Sequence, residues 1–320
     1  MNDMTPMEPQ NSTNKKLMDL MPQVRGRLRE NADLSKVTWF QVGGPADILF
    51  KPEDDADLAE FLKNLPGDIP VHVIGVGSNL LVRDAGVRGV VIRLGRHFAK
   101  MNNEGDKLTV GAGALDGHVA RFAADAGLEG AEFLSGIPGG IGGALRMNAG
   151  AYGADISDIF LSAVAYDRKG QRHELSLKEM GFSYRHTDVP KDWIFTEATF
   201  RLTPGDRQEI LDRMADISRN REESQPIRSR TGGSTFANPP GKKAWELIDD
   251  VGGREFSIGD AMVSEKHCNF LINKGAARAA DLEAVGEELR RRVFAKHDTL
   301  LRWEIVRLGD AGERMEGAGS

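Results

Sequence analysis

Between Leu134 and Gly153 the chain reads LSGIPGGIGGALRMNAGAYG, with seven glycines and one proline, and Arg146 and Tyr152 are its only ionisable side chains. A run of this kind serves its backbone. Without a Cβ, glycine tolerates positive φ and lets main-chain N–H groups come close to an anion, as a diphosphate requires where cations are few. Close-packed turns without a ligand are the other use of such a segment. The candidate phosphate contacts here are Ser135, Gly136, Ile137, Pro138, Gly139, Gly140, Gly142 and Gly143. A second loop, Gly75-Val76-Gly77-Ser78-Asn79, lies between the apolar residues Val71, Val73, Ile74 and Leu80, Leu81, Val82, which places Gly75, Gly77, Ser78 and Asn79 in a turn at a sheet edge. Neither loop is a Rossmann fingerprint: Leu80 and Leu145 stand where the third glycine belongs, and no GxxxxGK[ST] occurs. A nucleotide held by two separated glycine loops argues against an ordinary nicotinamide dehydrogenase and against a kinase.

A chain of 320 residues has a length prior of roughly two domains and is long enough for a large core. Its 42 Lys and Arg against 48 Asp and Glu give a net charge of −6, with the cations scattered rather than clustered, so a nucleic-acid footprint is not expected. The lone Cys268 cannot form an internal disulfide, and seven dispersed histidines without HExxH or paired-cysteine spacing give no metal site. With no signal peptide or long apolar run, the chain reads as soluble, cytoplasmic and independent of membranes.

Residues 1–16 and 311–320 lack periodicity and are expected to fray. Between them β-rich runs at Val71–Gly77, Val87–Leu94, Lys107–Gly111, Trp193–Leu202 and Asn269–Asn273 alternate with helical patterns. The helices are expected over Asp54–Leu65, Leu115–Ala126, Arg207–Arg221 and Ala280–Lys296, the last with Leu282, Val285, Leu289 and Val293 on one core-facing stripe. A segment with three prolines and three glycines, 222–241, breaks the pattern and suggests a domain boundary near residue 220.

Three residues stand out for chemistry. Ser234, in Gly232-Gly233-Ser234-Thr235-Phe236-Ala237-Asn238-Pro239, is either a turn residue or a hydroxyl facing a cleft. Serine is a weak acid but can protonate a carbanion, which is a stronger base than the alkoxide left behind. No GxSxG elbow is present, which disfavours a serine hydrolase. Arg185, in FSYRHTD, can grip a carboxylate with its planar fork, or pair with a surface acid. In LRWEIVRL, alternation sets Trp303 and Ile305 on one face and Glu304 and Val306 on the other, so Glu304 is either on the solvent side of an edge strand, which pattern alone favours, or aimed at a site. Asn238, Lys266 and His267 are lesser polar candidates.

These pieces together resemble the UDP-N-acetylenolpyruvoylglucosamine reductases, the flavin enzymes known as MurB, from about residue 30 to 309. The marks are TWFQVGGPAD (38–47), GVGSNLL (75–81), EFLSGIPGGIGGALRMNAGAYG (132–153), FSYRHTD (182–188), GGSTFANPPG (232–241) and WEIVRLG (303–309). The resemblance implies an α+β chain: a two-subdomain FAD-binding fold of the vanillyl-alcohol-oxidase (PCMH) type plus a C-terminal α/β substrate domain. It divides the chain into 17–94 and 95–219 for FAD, 220–302 for substrate, and 303–310 as a strand returning to the active site. It implies non-covalent FAD on the two glycine loops, NADPH as co-substrate, and UDP-N-acetylglucosamine enolpyruvate as the substrate reduced to UDP-N-acetylmuramate for peptidoglycan synthesis. Hydride would pass by way of flavin N5 to enolpyruvyl C3, Arg185 and Glu304 would stabilise charge on the carboxylate, and Ser234 would protonate C2. Asn238, Lys266 and His267 would contact substrate, no obligate protein partner is implied, and a monomer is expected. The short link from Arg185 to Trp193 resembles the branch lacking a tyrosine-bearing insertion. The alternatives are an FAD-dependent alcohol oxidase or dehydrogenase of the same fold, and a nucleotide-binding protein without turnover.

Overall fold

The computed structural model describes residues 17–310, so both tails expected to fray lie outside the described residues. Strands β1 to β5 occupy Arg27–Asp33, Pro45–Lys51, Val71–Val73, Leu80–Val82 and Val87–Ile92. Four of them form a sheet in the order β1-β2-β5-β3, in which β1 is antiparallel and the rest parallel. Helix α1 (Asp55–Asn64) makes the crossover from β2 to β3. The Asp54 side chain caps it by accepting from the Asp57 N–H. Its buried Leu58, Phe61 and Leu62 pack with Ile48, Phe50, Val90 and Ile92.

The second sheet is antiparallel: β6 (Met101–Glu104), β7 (Lys107–Gly111), β8 (Phe160–Tyr166), β9 (Arg172–Ser176) and β10 (Ile194–Arg201), ordered β9-β8-β10-β7-β6. Helices α2 (Asp116–Asp125), α3 (Ile141–Met147) and α4 (Arg207–Ser224) bring residues into the apolar core against it. The third unit sets α5 (Ala244–Asp250) and α6 (Ala279–His297) with an antiparallel sheet of β11 (Ser257–Ile258), β12 (Ala261–Val263) and β13 (Leu271–Asn273). Leu282, Val285, Leu289 and Val293 on α6 are all fully buried, as their spacing requires. Each stabilises the fold by about 1.5–3 kcal/mol on transfer grounds.

The units share their cores. Val164, Tyr166 and Ile194 of the second sheet join the cluster of the first, and Phe40, Val42 and Leu81 join that of α6. The chain also returns on itself: β14 (Val306–Leu308) pairs in parallel with β4, with Val306 opposite Leu80. Arg83 makes a two-pronged contact with Glu283 of α6 (2.9 Å for both bonds), and the Asp84 carboxylate accepts from the Ala279 and Ala280 N–H groups at its start.

Some local expectations shift. The strand that starts at Val71 ends at Val73: the Ile74 N–H still donates to the Ile92 carbonyl of β5 at 3.0 Å, and Gly75 to Asn79 turn away as the loop. Helix α4 continues to Ser224, past the break expected near residue 220, because helix-compatible Glu222 and Glu223 precede Pro226, which stops it. Strand β1, RLRENAD, carries no clear pattern in the sequence because it is an edge strand with mostly exposed polar residues. Among the described residues no helix is long and apolar enough to cross a membrane.

Candidate active site

Arg185 occupies a two-residue turn closed by reciprocal Ser183 and His186 backbone hydrogen bonds of 3.1 Å. Its φ of +56° lies in the left-handed region that β-carbon-bearing residues avoid. The guanidinium is held on two sides: Nε donates to Glu304 Oε1 and Nη2 to the Gly150 carbonyl, each at 2.9 Å. Nη1 makes no hydrogen bond to another described residue, and the group lies 5.0 Å from the Tyr184 ring centre.

Glu304 departs from the pattern reading. Its side chain is only 17 % exposed and faces Arg185, because the regular strand begins at Val306 and residues 303–305 pack against the Thr235 segment instead. The Glu304 N–H donates to the Thr235 carbonyl at 2.9 Å, and its own carbonyl accepts from the Asn79 amide at 3.2 Å. Burial raises its carboxyl above the usual value, although Arg185 pulls in the other direction.

Ser234 lies one residue before that contact and pairs with Phe270 through the backbone. Gly232 and Gly233 shape its approach. A Cβ on Gly232 would fall 2.4 Å from the Phe40 ring, and Gly233, at φ +79°, passes within 4.0 Å of the Ser78 carbonyl, measured from where its own Cβ would sit. The Ser234 hydroxyl makes no hydrogen bond to another described residue. Arg185, Glu304, Ser234 and the 75–79 loop therefore converge from four distant stretches of chain.

Comparison with known proteins shows the family. Residues 46–176 match the family model described as FAD binding domain, and residues 225–308 match the UDP-N-acetylenolpyruvoylglucosamine reductase C-terminal domain. A protein of Azorhizobium caulinodans named UDP-N-acetylenolpyruvoylglucosamine reductase is 58 % identical over 90 % of this chain and 94 % of its own length. One of that name from Parvibaculum lavamentivorans is 55 % identical over 93 % and 96 %. The chain belongs to the UDP-N-acetylenolpyruvoylglucosamine reductase family. The crystal structure of the reductase MurB from Thermus caldophilus superposes with a TM-score of 0.77 at 37 % identity, covering 90 % of this chain and all of that one. The FAD-binding fold with an added C-terminal domain is thus the architecture of this reductase.

The glycine loops suit the diphosphate of FAD. Neither residues 75–79 nor residues 135–143 include Lys or Arg, yet the N–H groups of Val76, Gly77, Ser78 and Asn79 make no hydrogen bond to another described residue, leaving a row of donors for an anion. Gly77 has φ +73°, and a Cβ there would meet the Val37 carbonyl at 2.3 Å, so the loop requires glycine at this point. Across the fold, the Gly142 N–H is tied to the Ala112 carbonyl at 2.8 Å, while Gly143 opens outward, with nothing within 4 Å of where a Cβ would sit.

The lesser candidates divide. His267 is half-buried, its ring 4.8 Å from that of Phe270 beside Ser234. Asn238 is exposed and its Oδ1 accepts from the Ala244 N–H, making it a brace for α5. Lys266 is exposed and bonds the Glu222 carbonyl at the end of α4. Sequence reasoning missed Asn148 and Asp116, both fully enclosed. An Asn that ends a helical stretch is a recognisable left-handed cap, so the first was open to detection. A groove of about 660 Å³ near Phe98, Tyr166 and Thr196 contains none of the catalytic candidates.

Proposed function

We propose that this reductase converts UDP-N-acetylglucosamine enolpyruvate to UDP-N-acetylmuramate with NADPH and non-covalent FAD, and that Arg185, Glu304 and Ser234 act at the enolpyruvyl group. FAD supplies hydride transfer from NADPH to enolpyruvyl C3. Hydride addition at C3 leaves negative charge at C2 that spreads into the adjoining carboxylate, so the protein must stabilise charge and deliver one proton. Arg185 does the first, with Nη1 free for the carboxylate and its other nitrogens anchored. Glu304 accepts from Arg185 Nε at 2.9 Å, which holds the guanidinium in place beside the reacting group. Ser234 gives its proton to C2.

The observation that carries this reading is the Arg185–Glu304 pair. Two residues 119 apart in sequence meet at 2.9 Å, where the Asn79 and Thr235 segments both reach. The same reading assigns 17–94 and 95–219 to FAD, 220–302 to the UDP-sugar and 303–310 to closing the site. It takes His267 with Asn238 and Lys266 as the substrate side, and the protein as a cytoplasmic monomer.

Ser234→Ala tests the proton donor. In anaerobic rapid mixing, flavin bleaching by NADPH stays near the wild-type rate, while return of colour on adding the enolpyruvyl sugar slows by at least about 10²-fold. Equal losses in both half-reactions would remove Ser234 from this role, and colour restored by oxygen alone would favour the oxidase alternative.

A further inference from the structure

Helix α3 joins the two halves of the site. Its beginning is the Gly140–Gly143 stretch, and its end carries Arg146 and, in the cap position, Asn148. Arg146 donates to the carbonyls of Val189 (2.7 Å), Pro190 (3.1 Å) and Trp193 (2.7 Å), which clasps the chain after Arg185. Asn148 clasps it before Arg185: Nδ2 donates to the Ser183 carbonyl at 3.3 Å and to Asp155 Oδ2 at 3.1 Å, and Oδ1 accepts from the Ser157 N–H at 3.0 Å. Asn148 is 2 % exposed and sits at φ +39°, so its amide is bonded at both ends in a closed environment and cannot turn over without losing partners. The Ser183 carbonyl it holds is one of the two that close the turn bearing the strained Arg185.

We propose that Asn148 is a positioning residue for Arg185, acting through the Ser183 carbonyl to keep the guanidinium in line with Glu304. The inference rests on the assignment of Arg185 to the substrate carboxylate. A turn that places a β-carbon-bearing residue at positive φ has lower-energy shapes available, and in those the Arg185 fork would leave the Gly150 and Glu304 bonds. Asn148 blocks that relaxation, and α3 carries the constraint back to the cofactor loop.

The test uses the FAD-loaded protein with Asn148→Gly, which keeps the left-handed backbone, and Asn148→Asp, which keeps the acceptor but not the donor. In both, bleaching by NADPH is expected within about 2-fold of wild type, with reoxidation by the enolpyruvyl sugar about 10- to 100-fold slower, the range for a displaced reacting group. The Asn148→Gly/Arg185→Ala double variant should reoxidise no more slowly than Arg185→Ala alone, because both changes remove one function. Multiplying effects, or equal slowing of both half-reactions, would show a general structural role and overturn the proposal. Slow Arg185→Ala beside a normal Asn148→Gly would overturn this inference only, whereas a normal Arg185→Ala would overturn the reading on which it stands.

Discussion

Asp116, the first residue of α2, has a fully buried carboxyl with both oxygens unpartnered among the described residues. It packs on the glycine segment 135–143: Oδ2 lies 2.6 Å from where a Cβ on Gly139 would be. Burial alone raises its pKa well above the usual carboxylate value. In the unfolded chain the same group ionises at about pH 3.9. Below that pH both states hold the proton and the group has no effect on the pH slope. Above it the unfolded chain releases the proton and the folded one retains it, so the folded state is destabilised as pH rises, until the folded carboxyl itself ionises. The linkage slope for one proton is about 1.4 kcal/mol per pH unit, so two units change stability by about 3 kcal/mol within that window. Asp116→Asn has nearly the same shape and no such titration. Chemical denaturation of both FAD-loaded proteins, at constant free FAD and from pH 5 upward, should show the variant gaining on wild type at that slope. All other titrating groups, Glu304 among them, are common to both proteins and cancel in the difference. A difference that stays constant over the range would mean that the carboxyl is ionised in the fold, and would refute the argument.

Three further outcomes follow from the geometry. Glu304→Gln keeps the shape but not the acid, and should slow reoxidation by the enolpyruvyl sugar more than reduction by NADPH; an unchanged reoxidation rate would take Glu304 out of the chemistry. Gly77→Ala places a methyl 2.3 Å from the Val37 carbonyl at φ +73°, so the purified protein should lose its FAD, as read from its visible absorbance after gel filtration. Gly286→Ala would put a methyl 2.3 Å from the Trp303 ring, next to Glu304. Overpacking of this kind costs about 1–3 kcal/mol, measurable as a lower unfolding midpoint.

The periodicity of Leu282, Val285, Leu289 and Val293 was enough to define α6 and the face it buries, because a 3.6-residue repeat is a local property of the chain. The glycine loops were equally legible, since a need for positive φ or close approach at Gly77 or Gly232 selects the residue directly. Arg185, Ser234 and Glu304 could be nominated from their segments, but the meeting of Arg185 with Glu304 depends on the return of β14 to β4, a long-range pairing no local pattern encodes. Alternation pointed Glu304 toward solvent because it assumes a regular strand, and tertiary packing confines that strand to Val306 onward. Burial of Asp116 and Asn148 was likewise decided only by packing, since the solvation of a polar side chain is set by what other parts of the chain bring against it. Local spacing thus determined the helix faces and the loops, and the tertiary structure decided which of the polar residues face one another.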